Sequence, residues 1–259
     1  MNDEPKKIRG IDLLKVFFRA LLIQASWSFD LLQSMGFAYA MLPVLRKLYP
    51  DKAEFASRLN LHTEYFNTQP YLASFILGAA VKMEEDRAFG RNDNVDSAEM
   101  KSALMAPLGA VGDGFFWAAL KPFAATIAVS LLIVGVWWAP LLYLLLYNVW
   151  HVGLRINLLF LGYRSGGDAV ALIERHNFSK LTRLFKASSL SVLGGMLGTL
   201  TAWRPEFRLT VPLSGPLTIL FGAAFTLVLI EALRRGGSPI KLMLGLAAVC
   251  LALAYAGVP

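Results

Sequence analysis

The chain has 259 residues, 56% of them hydrophobic and 17% charged, with a formal net charge of +7. Soluble domains run about 45–50% apolar with about 25% charged residues, so part of this chain's solvent is lipid. From Pro122 onward there are eleven Lys/Arg against four Asp/Glu; basic residues beside apolar spans read as loops held on the cytoplasmic side, and nucleic-acid binding is not expected.

Met1–Gly10 is polar, with no apolar stretch and cleavage site behind it, so no secretory signal is read. Lys6, Lys7, Arg9 and Lys15 favour a cytoplasmic N-terminus. Ala20–Leu45 is apolar but holds Asp30, two glutamines and three serines. On a helix advancing about 100° per residue, Arg19, Ser26, Asp30, Gln33 and Ser34 share a face that Trp27 borders. A carboxylate in such company marks a pathway, a site or a partner contact. Arg19 and Asp30 would stand about 16 Å apart along that helix, too far to pair.

Asn67–Val81 is a run of 15 uncharged residues, short for a crossing. Asn67, Thr68 and Gln69 precede Pro70, where Asn67 or Thr68 is placed to cap the next helix. Glu84-Glu85-Asp86 follows: a solvated helix end, or carboxylates free to accept from ligand hydroxyls. Phe89–Glu99 is polar and turn-rich and reads as an aqueous loop. Gly109–Leu120 holds Asp113 between Gly112 and Gly114, which suits a sharp turn with positive φ. These short, Gly/Pro-interrupted segments are the pattern of helices packed in protein or entering the membrane and returning.

Phe123–Trp150 carries no charge over 28 residues, Ala187–Trp203 over 17, Leu209–Ile230 over 22 and Leu242–Pro259 over 18. About 20 apolar residues cross a bilayer core, so each is a span or nearly one. Asp168–Lys186 has helical spacing in Leu172, Phe178, Leu181, Leu184 and Phe185, as an interfacial amphipathic helix does. Arg234–Pro239 reads as a tight basic turn. The expected fold is all-α: a polytopic membrane protein with broken or re-entrant helices in its N-terminal half and conventional transmembrane helices in its C-terminal half. Residues 1–167 form the region that carries the polar groups, 168–186 the interfacial segment and 187–259 the closing spans.

No metal site and no cofactor site is read. The single cysteine, Cys250, lies in an apolar run. His62 is expected on a charged amphipathic helix, His151 at the end of a span and His176 in a basic loop helix, none in a phosphate-cradling setting. No Walker loop, GxSxG elbow or HExxH motif occurs, so no catalytic constellation is found.

Five blocks in order carry a family resemblance: Leu14–Met41 (LKVFFRALLIQASWSFDLLQSMGFAYAM), His62–Tyr71 (HTEYFNTQPY), Ile76–Asp86 (ILGAAVKMEED), Lys101–Pro122 (KSALMAPLGAVGDGFFWAALKP) and Leu154–Gly166 (LRINLLFLGYRSG). Together they resemble the IID subunit of the mannose/fructose/sorbose family of sugar phosphotransferase systems. The resemblance implies a IIC membrane partner and soluble IIA and IIB phosphocarrier proteins. It implies a hexose or amino sugar as substrate, lipid around the spans, an oligomer of IIC–IID pairs, and the bacterial cytoplasmic membrane as location. It also implies that the phosphoryl group ends on IIB, so that no residue of this chain carries it. The candidate sugar-binding residues are Trp27, Asp30, Asn67, Glu85 and Asp113. Departures from the family pattern, Gln69 where His is usual, Leu31 where Arg is usual and Gly114 where Ser is usual, leave a second reading, motivated by the first two: a non-transporting scaffold or regulatory subunit.

Overall fold

The computed structural model describes residues 5–91, 96–133, 135–169 and 231–255, with residues 187, 224 and 228 besides. The described part is helical, with only two isolated β-bridges. The chain divides into two units, Met1–Leu193 and Gly194–Pro259.

In the first unit, α1 (Gly10–Ala20) buries Leu13, Val16, Phe17 and Ala20, the spacing of one apolar helix face. The backbone then leaves helical geometry, passes through turns over 21–33, and re-enters a helix at α2 (Ser34–Leu48). The single helical face expected for residues 19–34 is therefore not formed beyond Ala20. α3 (Lys52–His62) starts at Asp51, whose carboxylate accepts from the Glu54 amide at 2.8 Å. His62 is its one buried residue, while Phe55 and Leu59 pack partly buried against the core.

α4 (Ala73–Ala88) is the centre of the unit. It buries every residue from Ala73 to Val81 and packs against α2, α5 (Ser97–Gly112) and α7 (Ala139–Ser165). The closest approach is to α7, where small residues let two backbones meet. A Cβ on Gly78 would lie 2.0 Å from the Leu159 carbonyl oxygen, and one on Gly162 would lie 2.0 Å from that of Phe75. Phe37, Phe66, Phe75, Phe116, Met41 and Ile76 fill the core around this crossing, each contributing about 1.5–3 kcal/mol on burial.

Gly109–Leu120 is not a broken segment. α5 runs through a π-helical stretch (Asp113–Leu120) into α6 (Lys121–Ile133), giving one continuous helix of 37 residues. The expected turn at Gly112-Asp113-Gly114 is absent: Gly112 has φ −68° and Asp113 φ −62°. Gly112 serves packing instead, because a Cβ there would lie 2.5 Å from Cβ of Gln69.

The run Phe123–Trp150 is correspondingly not one span. It breaks at Gly135, φ +93°. The Gly135 amide donates to Leu132 O at 3.0 Å and the Val136 amide to Leu131 O at 2.9 Å, the paired bonds of a Schellman stop. α7 restarts with Pro140 in its first turn. Ser97–Ile133 and Ala139–Asp168 are the two described helices long and apolar enough to cross a membrane. Leu141, Leu144, Leu145, Val149 and Val152 stand exposed along the second. His151 lies mid-way in it and does not end it.

In the second unit, the turn at Gly236 (φ +85°) precedes a helix over Pro239–Tyr255, as the basic turn predicts. The expected interfacial helix at 168–186 and the spans Ala187–Trp203 and Leu209–Ile230 lie almost wholly outside the described residues.

Candidate functional site

Two polar regions flank α4. The first is built where segment 21–33 meets segment 66–72. Within the first segment the Ser28 amide donates to Leu32 O at 3.2 Å and the Leu32 amide returns to Ser28 O at 3.0 Å. The Gln33 amide then donates to Phe66 O at 2.9 Å. These bonds hold Leu32 at φ +52°, the only non-glycine residue with positive φ among those described. A bulky residue there costs energy and persists only where its surroundings over-determine it, which is common at ligand clamps. Gln33 is buried and fixes the partner segment twice: Nε2 donates to Thr68 O at 2.7 Å and Oε1 accepts from the Thr68 amide at 3.2 Å.

Thr68 Oγ1 donates to Met105 O at 2.9 Å, and Gln69 packs on Gly112, so α5 closes the third side. Neither Asn67 nor Thr68 caps α4; the side-chain acceptor in the turn leading into it is Gln69. Its Oε1 accepts from the amides of Tyr71 at 2.8 Å and Leu72 at 3.1 Å. Those two donors fix the orientation of the amide, and the buried Nε2 has no acceptor among the described residues. Trp27 is 51% exposed and meets Phe29, 89% exposed, edge to face. Asp30, Asn67 and Asp113 are exposed on the three meeting segments. Four of the five candidate residues are thus carried by one junction.

Glu85 is elsewhere, about 18 Å along α4 from Ala73. It is 2% exposed. Its Oε1 accepts from the Ile8 amide at 2.8 Å and its Oε2 from the Tyr163 hydroxyl at 2.6 Å, tying the N-terminal segment and α7 to α4. Its neighbour Glu84 is the hub of the second region. Glu84 accepts from Tyr49 Oη at 2.7 Å, Arg58 Nε at 2.9 Å and Ser97 Oγ at 3.2 Å, and its Oε1 lies 3.1 Å from His62 Nε2. α2, α3, α4 and α5 converge on this one carboxylate. Burial pushes Glu84 upward, but the hydrogen bonds from His62 and Arg58 outweigh it and hold the carboxyl below its ordinary range. Burial, then Glu84 itself, push the Tyr49 hydroxyl up, so it stays a donor. The acid run is therefore neither a solvated helix end at Glu84 and Glu85 nor an open pair of carboxylates.

The family model for the mannose/fructose/sorbose IID component of phosphotransferase systems matches residues 7–258. The chain belongs to this family. As a IID component it is a membrane subunit of a phosphotransferase sugar permease. It is 35% identical over 198 residues to the mannose-specific EIID component of Escherichia coli K12, covering 76% of this chain and 70% of that one. It is 34% identical over 201 residues to the sorbose-specific EIID component of Klebsiella pneumoniae, covering 77% and 72%. It is 31% identical over 202 residues to the fructose permease IID component of Bacillus subtilis, covering 77% and 73%. It is also similar to a chain in the cryo-electron microscopy structure of the mannose transporter ManYZ with microcin E492. There the identity is 30%, the coverage 97% and 98%, and the TM-score 0.58.

In this IID component, the first, second and fourth family blocks, Leu14–Met41, His62–Tyr71 and Lys101–Pro122, are the segments that build the junction. Sequence reasoning missed Gln33, Thr68 and Gln69 as its framework. No local signal links residues 35 positions apart, such as Gln33 and Thr68.

Proposed function

We propose that this chain pairs with a IIC membrane subunit in the bacterial cytoplasmic membrane and contributes to a hexose site through the junction of segments 21–33 and 66–72. The sugar passes inward as a IIB partner, charged through IIA, phosphorylates it. Trp27 supplies an aromatic face, Asn67 an amide able to donate and accept, and Asp30 and Asp113 carboxylates that accept from hydroxyls. Glu85 belongs to the packing of the subunit and not to this site. Segment 21–33 is irregular backbone that stands mostly exposed on this chain; in the pair the IIC subunit covers it, since a spanning protein tolerates such backbone at membrane depth only where protein or a cavity surrounds it.

The observation that carries this reading is the strained Leu32 turn locked to Phe66, which sets Asp30 and Asn67 on adjoining backbone at the surface. Membranes with the chain deleted are expected to lose phosphoenolpyruvate-dependent phosphorylation of mannose, fructose or sorbose. The native chain restores it and the Asn67→Ala chain restores it poorly. Unchanged phosphorylation after deletion overturns the proposal.

A further inference from the structure

Arg155 sits in the middle of α7, a helix long and apolar enough to span a membrane, and is 3% exposed. Among the described residues its partners are neutral. Nη2 donates to the carbonyl of Ala20, Nε to Ser74 Oγ at 3.3 Å, and Nη1 lies 3.4 Å from His151 Nε2. Its Cζ stands 5.7 Å from the centroid of the Tyr71 ring. A buried cation without a carboxylate is costly unless other groups compensate it. Ala20 is the last residue of α1, and the carbonyls of a helix C-terminus carry partial negative charge. The guanidinium thus takes its compensation from a helix end and an aromatic face.

What those partners are attached to matters more. Segment 21–33, bearing Trp27 and Asp30, begins one residue after Ala20. Segment 66–72, bearing Asn67 and including Tyr71, ends two residues before Ser74. The Tyr71 ring meets Phe116 edge to face at 4.8 Å, inside the π-helical stretch that starts at Asp113. One planar, forked side chain therefore touches the roots of two site-bearing segments, and through Tyr71 reaches the third. A lysine ammonium at the end of a flexible stem cannot fix two acceptors in set directions as the fork does.

We infer that Arg155 is a positioning residue for the sugar site, setting the spacing of the Trp27–Asp30 and Asn67 segments through Ala20 and Ser74. This rests on the junction reading proposed above. Tyr71 is its relay, held in place by a hydroxyl contact with Tyr147 Oη at 3.0 Å and by the His151 ring at 3.9 Å.

The test uses the chain with its IIC partner, mannose, fructose and sorbose as probes, and backbone hydrogen exchange as the second readout. Arg155→Met is expected to weaken sugar affinity by about tenfold or more, the scale on which a ~1 Å misplacement is felt. Exchange should rise in 21–33 and 66–72 while the helices around Glu84 keep native protection. Arg155→Lys should fall between, since it reaches one acceptor and not both. If the Met variant does not assemble, the Lys variant decides, and wild-type affinity there overturns the inference. Exchange rising evenly across α1, α4 and α7 also overturns it, because a general packing role acts that way. Wild-type affinity in Arg155→Met beside weakened Asn67→Ala removes the positioning role alone. The reverse pattern removes Asn67 from the site and leaves the dependence on Arg155 standing.

Discussion

The two ends of α4 hold polar groups in opposite conditions. At the C-terminal end Glu84 and Glu85 are buried, and each carboxylate oxygen has a donor or a histidine nitrogen against it. At the N-terminal end Asn67 is exposed, Gln69 Nε2 has no acceptor among the described residues, and Leu32 is held at positive φ. The carboxylates of the first end are satisfied by the chain itself, and only His62 Nδ1 beside them lacks a partner among the described residues. The second keeps unused hydrogen-bonding capacity on a strained frame. In a sugar permease subunit, a carboxylate inside an apolar helix is therefore weak evidence for a ligand. Polar capacity left over after the fold has formed is the better guide.

The sharpest way to break this contrast is to remove the satisfied carboxylate. Glu84→Leu leaves Arg58 facing a buried site without its counter-charge, and is expected to destabilise by about 3–5 kcal/mol. Thermal unfolding of the purified assembly measures it, and the fraction that remains folded should bind sugar with native affinity. Native stability would mean that the hub is incidental. At the other end, Gly112→Ala forces a methyl group against Gln69 and is expected to cost about 1–3 kcal/mol. It should also weaken sugar binding, because it displaces Gln69 from the turn that leads into α4. A loss of stability with sugar affinity intact would separate Gln69 from the site.

The smallest effect is on pH dependence. Burial holds His62 below its ordinary 6.5, with Lys101 and Arg58 adding to this and Glu84 opposing it. The unfolded chain then takes up a proton that the folded chain refuses. The stabilisation is complete above about pH 6.5 and is lost as pH falls, by at most about 1.4 kcal/mol per unit for one proton. Glu84, also held low, acts in the same direction once pH drops into the ordinary carboxylate range. His62→Asn should flatten the unfolding profile between about pH 7 and 5, the range around the ordinary histidine value. A profile as steep as the native one would place the titration elsewhere.

The family and the apolar helices were legible because both are local. A block such as HTEYFNTQPY is contiguous, and α1 shows its buried face in its own spacing. The errors arose where distant residues decide. A helical face over residues 19–34 is what periodicity gives, yet the backbone leaves the helix at Leu21 because Leu32 and Gln33 pair with Phe66. Gly112-Asp113-Gly114 looks like a turn, yet it is helical because Gly112 makes room for Gln69. Gly135, in an uncharged run, looks like any packing glycine until its Schellman bonds end the helix. Four of the candidate residues fell on one junction because the blocks that carry them meet in space. Glu85 did not, because Ile8 and Tyr163, the residues that bind it, are 77 and 78 positions away.

One pair of variants weighs the two ends of α4 most directly. Affinity for mannose, fructose and sorbose is measured on the chain with its IIC partner, for Asn67→Ala and Glu85→Gln side by side. The expected result is affinity about tenfold or more weaker in Asn67→Ala, or roughly 1.4 kcal/mol, with Glu85→Gln close to native in affinity and lower in thermal stability. Native affinity in Asn67→Ala together with lost affinity in a stably folded Glu85→Gln would contradict it and return the site to the acidic end.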